Sequence, residues 1–261
     1  MLLVIDVGNT NTVMGIYKGE RLVHNWRIHT DRNTTEDECN ALFGSLFRSG
    51  GVSAREIRQT VISSVVPPMV TILDAFCRKY LGHAPHWVNA KSYTAMPIRM
   101  PNPDEVGADR IVNAVGAHRK HGRSMVIIDF GTATTFDAIS AKGEYLGGAI
   151  SPGIMIAAEA LFMKASKLPR VEIFKAPAGV IGKSTIEALK SGIIFGYAAL
   201  VDGMVARMKA EMGGDPMVIA TGGLATLMGE VSACIDAIEP DLTLEGLRII
   251  AGELITGGLK S

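Results

Sequence analysis

Two short turns carry the polar side chains best suited to chemistry. The first, Asp6-Val7-Gly8-Asn9-Thr10-Asn11-Thr12, follows the apolar run Leu2 to Ile5, and Val13 continues it into the next strand. The second, Asp129-Phe130-Gly131-Thr132-Ala133-Thr134-Thr135, follows Met125 to Ile128. Glycine lets a backbone approach a bulky anion. Backbone N–H groups with Thr and Asn side chains supply neutral donors for phosphate oxygens. An Asp at a strand end can hold a magnesium ion, usually through water. Two facing hairpins of this kind make a phosphate clamp in an interdomain cleft. The alternative is a pair of ordinary hairpins with polar tips. Neither turn closes on Gly-Lys-Ser/Thr, so neither is a Walker A loop. Gly182-Lys183-Ser184-Thr185 has such an ending but lacks the upstream glycine at the required spacing.

A third acidic centre lies in Gly107-Ala108-Asp109-Arg110, ahead of a helix whose inward face is Ile111, Ala114, Val115 and His118. Asp109 sits at or near that helix N-terminus, where the dipole favours its ionised form. It can accept a proton from a substrate hydroxyl, and Arg110 can pair with a carboxylate. An N-cap Asp beside a solvated Arg is the competing reading. The six histidines show no metal-ligand spacing.

These groups need elements to position them. Leu2 to Ile5 is a buried-type strand, Val13 to Tyr17 its return, and Arg21 to His29 a third strand. Cys39, Leu42, Phe43, Leu46 and Phe47 recur at helical spacing, with Thr35 and Glu38 as a capping box and Gly50-Gly51 as the stop. Thr60 to Val66 is a strand ended by Pro67-Pro68, and Met69, Ile72, Leu73 and Phe76 stripe the next helix. A shift of 123 positions lays Ile5 on Ile128, Asp6 on Asp129, Gly8 on Gly131, Thr12 on Thr135 and Ile16 on Ile139. This internal repeat of strand, turn, strand and turn implies duplicated domains, divided as 1–115 and 116–261. Helices are expected over Ile154 to Lys167 and Thr185 to Met212. A strand is expected over Met217 to Ala220, and a last strand or helix over Gly246 to Leu259.

Composition narrows the class. The chain has 261 residues, 48% of them hydrophobic, and 26 Lys and Arg balance 26 Asp and Glu. It can build a core, and neutrality counts against a dedicated nucleic-acid binder. Three widely spaced cysteines fit neither a disulfide framework nor a zinc site; buried, inert thiols are expected. No signal peptide is read at the N-terminus and no apolar run of membrane-span length, so a soluble cytoplasmic protein is expected.

The two turns, Gly107 to Arg110 and Gly182 to Thr185 stand in an order and spacing that resembles the type III pantothenate kinases, over nearly the whole chain. The resemblance implies an α/β fold of two duplicated ribonuclease H-like domains (the actin-like ATPase fold) with an interdomain cleft. It implies ATP-dependent phosphorylation of pantothenate, the first step of coenzyme A synthesis, by a homodimer needing magnesium and a monovalent cation, potassium or ammonium. By motif, Asp6, Val7, Gly8, Asn9, Thr10, Asn11, Thr12 and Val13 would hold the ATP phosphates, with Asp6 near magnesium and Thr132 on a phosphate. Asp109 would be the base. Gly107, Ala108, Asp109, Arg110 and Thr185 would line the pantothenate site, and Asp129 would bind the monovalent cation. Met100 stands where many members carry Tyr, so it offers packing to pantothenate but no phenol hydrogen bond.

Two other classes compete. One is a kinase or phosphohydrolase of the same superfamily acting on another small molecule; the other is a nucleotide-binding regulator. No helix-turn-helix signature supports direct DNA binding, and an intact Asp109 argues for catalysis.

Overall fold

Leu3, Val4, Ile5 and Val7 are fully buried, so β1 (Leu2–Val7) is covered on both faces. It pairs antiparallel with β2 (Asn11–Lys18), which pairs with β3 (Arg21–His29). The chain then forms α1 (Glu36–Ser49), β4 (Gln59–Ser64), α2 (Pro67–Phe76), β5 (His86–Trp87) and α3 (Ala108–His121). β4 is parallel to β1, giving the sheet order β3-β2-β1-β4-β5. The computed structural model describes residues 1–165 and 168–256.

The capping box at α1 is present: Thr35 accepts from the Glu38 N–H, and the Glu38 carboxylate accepts from the Thr35 N–H at 2.8 Å. Such a cap contributes about 1 kcal/mol. The apolar stripe of α1 buries Cys39, Phe43 and Phe47 against the sheet. Phe43 meets Phe76 of α2 edge to face, with centroids 5.1 Å apart, and truncating such a ring costs roughly 3–5 kcal/mol. Pro67 opens α2 at a position where its missing N–H costs nothing.

The second half repeats the plan. β6 (Met125–Phe130), β7 (Ala133–Ile139) and β8 (Tyr145–Pro152) form an antiparallel meander. α4 (Ile154–Lys164), α5 (Thr185–Met212), β9 (Met217–Gly222), α6 (Ala225–Val231) and β10 (Ala237–Ile238) follow. The order β10-β9-β6-β7-β8 matches the first sheet position for position, and β9 is parallel to β6 as β4 is to β1. Both meanders bulge at the same place, between Ile16 and Tyr17 and between Ala138 and Ile139.

Pairing corrects the ungapped repeat by one residue. Thr12 lies opposite Val7, while Thr134, not Thr135, lies opposite Phe130. The second turn is one residue tighter, so the shift of 123 holds for β1 and β6 but not beyond the turn.

The last helix, α7 (Leu242–Thr256), begins before the expected Gly246. The expected ends at Lys167 of α4 and at Leu259 fall outside the described residues. α7 packs on β1 and β4, and two glycines let it touch α3 backbone to backbone. A Cβ on Gly246 would lie 2.2 Å from the Val112 carbonyl oxygen, and one on Gly116 would lie 3.0 Å from that of Leu242. Thr243 donates to Asn113 Oδ1 across the same contact at 2.7 Å.

The chain thus forms two units: Met1–Met96 with Pro101–Gly116 and the chain from Leu242, and Pro97–Met100 with Ala117–Asp241. The division at 115/116 had placed the C-terminal helix in the second part; it packs in the first.

α5 is long and apolar enough, by length and composition, to cross a bilayer. Its inner face, with Ile194, Tyr197, Val201 and Val205, is buried in the second core. Met204, Met208 and Met212 pack against that core. Cys39 and Cys77 are buried and Cys234 half-buried, all as free thiols; burial pushes the Cys77 thiol up to about 12.

Candidate active site

The first turn is closed by its own backbone. The Gly8 N–H donates to the Asn11 carbonyl at 3.0 Å, so this amide serves the turn and not an anion. Asn9, Thr10 and Asn11 are exposed at the tip, whereas Val7 and Thr12 are buried and Val13 is half-buried in the strands. Asp6 is half-buried at the end of β1. The parallel register sets it beside Ser63 of β4, whose fully buried hydroxyl donates to Asp6 Oδ1 at 2.7 Å. That bond fixes the carboxylate in one orientation.

The second turn uses the same closure, with the Gly131 N–H donating to the Ala133 carbonyl at 3.1 Å. Thr132 is exposed and Asp129 half-buried. Asp129 lies beside Thr221 in the β6–β9 register, as Asp6 lies beside Ser63. Its carboxylate rests on the bare Cα of Gly222: a Cβ there would lie 2.4 Å from Asp129 Oδ1. Gly222 has φ 91°, a conformation that favours glycine for the same position.

Asp109 is not the N-cap. Gly107 is, because its carbonyl accepts the Ile111 N–H at 3.2 Å. Asp109 lies in the first turn of α3, and its Oδ1 accepts the Arg110 N–H at 2.8 Å. A Cβ on Gly107 would stand 2.6 Å from the same oxygen. Burial pushes the Asp109 carboxyl above its ordinary value, against the opposing pull of the Arg110 N–H and the Arg110 charge. The helix start favours the ionised carboxylate; burial opposes it, which makes the carboxylate a stronger base than an exposed one.

Thr185 is the exposed first residue of α5, whose N-cap Ser184 accepts from the Glu187 N–H at 3.2 Å. Gly182 to Ser184 therefore build an ordinary helix start. Thr185 lines a mainly apolar hollow of about 620 Å³ with Leu161, Leu189, Ile193 and Tyr197. Met100 is half-buried, next to the Arg99 N–H that donates to the Tyr145 carbonyl at 2.8 Å.

The arrangement fits magnesium without an all-protein cage. No group of three or more His, Cys, Asp or Glu gathers among the described residues. Magnesium is usually held by one or two carboxylates together with substrate phosphates, and an oriented Asp6 beside a donor-rich turn suits that. Ser63 escaped sequence reasoning, and so did the seat that Gly222 gives Asp129, because parallel partners far along the chain leave no local signal.

The family model for type III pantothenate kinase matches residues 2–207. The type III pantothenate kinase of Desulforapulum autotrophicum is 62% identical over 97% of this chain and 97% of its own. That of Desulfatibacillum aliphaticivorans is 61% identical over 96% and 97%. Among solved structures, the ROK hexokinase of Thermus thermophilus superposes with a TM-score of 0.58 over 98% of this chain and 99% of its own, at 16% identity. That likeness carries the fold alone: two duplicated α/β units of the actin-like ATPase type. A family model over residues 2–207 and overall identity above one half across nearly the whole of both chains settle the lineage: this chain belongs to the type III pantothenate kinase family.

Proposed function

We propose that the chain transfers the γ-phosphoryl group of ATP to the primary hydroxyl of pantothenate, giving 4'-phosphopantothenate, with Asp109 as general base. The observation that carries this reading is Asp109 itself. It is a desolvated carboxylate with a raised pKa, fixed by the Arg110 N–H at the head of α3. Phosphoryl transfer asks for positioning and charge neutralisation more than for covalent chemistry. A base is needed only late, to take the hydroxyl proton as the new P–O bond forms.

In this reading the exposed tip of the first turn and Thr132 bind ATP phosphates, and Asp6, oriented by Ser63, holds magnesium through oxygen or water. The bound metal would neutralise phosphate charge. Asp129, seated on Gly222, holds a potassium or ammonium ion, which offsets its charge beside the nucleotide. Gly107, Ala108 and Arg110 flank pantothenate. The apolar hollow at Thr185 suits the substrate's apolar part, and Met100 contributes packing.

A homodimer in the cytoplasm completes the proposal. Met155, Ile156, Met163 and Leu200 are exposed on α4 and α5, an apolar surface of the kind that subunit contacts cover. No contact with nucleic acid or membrane is part of it.

The test is an ADP-release assay with pantothenate, glucose and N-acetylglucosamine as competing acceptors. Release that depends on pantothenate alone supports the reading. Release with the sugars, or none with any acceptor, counts against it. Light scattering reports the dimer.

A further inference from the structure

After β3 the chain returns to the first turn and bonds to Gly8, Asn9, Thr10 and Thr12. The Thr30 N–H donates to the Thr10 carbonyl at 3.0 Å. The Thr30 hydroxyl donates to the Gly8 carbonyl at 2.8 Å and lies 2.9 Å from the Thr12 hydroxyl. Its single proton is taken by Gly8, so Thr12 is the donor in that pair. Thr30 and Thr12 are both buried. Arg32 Nη2 donates to Asn9 Oδ1 at 2.8 Å.

The second turn has a closure of the same kind but none of these side chains. There the Gly153 N–H donates to the Thr132 carbonyl at 3.1 Å, and the chain passes straight into α4. Thr134, the pairing equivalent of Thr12, is fully buried and its hydroxyl has no partner among the described residues. The two meanders are duplicates, so Thr30 and Arg32 are additions specific to the first turn and are not needed to close such a hairpin.

We propose that Arg32 is a phosphate-binding residue for ATP, presented by Asn9, and that Thr30 is the positioning residue that holds the turn for both. The inference rests on the reading that this turn holds the ATP phosphates. From Asp6 to Val13 the turn carries no cation and one carboxylate, so it lacks a positive charge for a polyanion. Arg32 is exposed and supplies one. A guanidinium has five N–H donors, of which the bond to Asn9 uses one. Arg32 also fixes Asn9 by occupying its carbonyl oxygen, which leaves the Asn9 amide NH₂ as the end facing outward. Two donor groups then face the nucleotide side by side, one of them charged. Asp31, the nearest acid in sequence, accepts the Asn33 N–H at 2.9 Å.

The experiment measures binding of ADP and of adenosine by calorimetry, together with steady-state kinetics, in Arg32→Ala, Arg32→Lys, Thr30→Val and Asn9→Ala. Loss of a charge-assisted contact should weaken ADP binding and raise the KM for ATP roughly tenfold or more in Arg32→Ala. Adenosine affinity, the KM for pantothenate and the melting temperature should stay put. Arg32→Lys should recover part of the loss. Arg32→Ala and Asn9→Ala should be less than additive when combined. Thr30→Val should weaken ADP more than adenosine, with circular dichroism reporting that the fold is kept.

Unchanged ADP affinity in Arg32→Ala, with Asn9→Ala impaired, overturns the proposal and leaves Arg32 as a surface tie. Equal weakening of ADP and adenosine also overturns it. Unchanged ADP binding in Asn9→Ala and Arg32→Ala alike would instead remove the phosphate reading of the turn.

Discussion

Gly107→Ala separates the placement of Asp109 from the stability of the fold. Its added Cβ would stand 2.6 Å from Asp109 Oδ1 and 3.6 Å from Val65 Cγ1. An unstrained C···O contact is about 3.3 Å or longer, so the carboxylate must retreat by about 0.7 Å while Val65 need not move. The retreating atom is a side-chain end, and Gly107 is not among the positive-φ glycines, so alanine fits the backbone. Losing the N-cap preference for Gly costs a few tenths to 1 kcal/mol. The lower chain entropy of Ala in the unfolded state offsets a similar amount. The melting temperature should therefore shift by no more than a few degrees. The reaction is less forgiving, since a misplacement near 1 Å can cost about a hundredfold. A fall in kcat of roughly ten- to a hundredfold is expected, measured by coupled ADP release beside thermal denaturation. Full activity at an unchanged melting temperature would mean that the position of Asp109 in this structure is not the one that reacts.

Asp109→Asn should lower kcat by roughly a hundredfold or more, in line with general-base contributions. Its kcat/KM profile should lose an acid limb that the wild type shows above the ordinary carboxylate range, because activity falls as Asp109 protonates and its pKa is raised. The folded state binds this proton more tightly than the unfolded chain. Ionisation therefore costs stability as pH climbs past the ordinary carboxylate value through the raised one, and the cost is complete above it. At neutral pH the Asn variant should melt at or above the wild-type temperature, and the difference should vanish in acid; a large loss at neutral pH would mean that Asp109 is structural. Replacing potassium by sodium should cut activity strongly if Asp129 holds the monovalent ion, and equal rates in the two salts would remove that role. Met100→Ala should raise the pantothenate KM by about 1 kcal/mol or less in free-energy terms while leaving folding intact; an unchanged KM would place Met100 outside the site.

Local patterns in the sequence were enough for the elements they define. The apolar run before each Asp, the capping box at Thr35 and Glu38, and the period of α5 each act within a few residues, and each formed as expected. The repeat revealed the duplication because both halves keep an acid, a glycine and threonines on one hairpin. It misplaced Thr135 by one residue because turn length is free to vary while strand pairing is not. What stayed hidden depends on partners distant in the chain. Ser63 meets Asp6 through a parallel pairing, Gly222 receives Asp129 from another strand, and α7 returns to α3 through Gly116 and Gly246. The upward push of burial on the Asp109 carboxyl stayed hidden for the same reason: proximity to a helix start is written locally, and burial is not.

The product of the reaction is the evidence that speaks for pantothenate phosphorylation itself. The purified chain, incubated with ATP, pantothenate, magnesium and potassium, should convert pantothenate to a species heavier by one phosphoryl group. Mass spectrometry would detect it, and phosphorus–proton correlation in NMR should place the phosphate on the primary hydroxyl carbon. The Asp109→Asn protein should form it at least about a hundredfold more slowly. ADP formed without phosphorylated pantothenate, or a phosphate on the secondary hydroxyl, would rule out phosphoryl transfer to the primary hydroxyl.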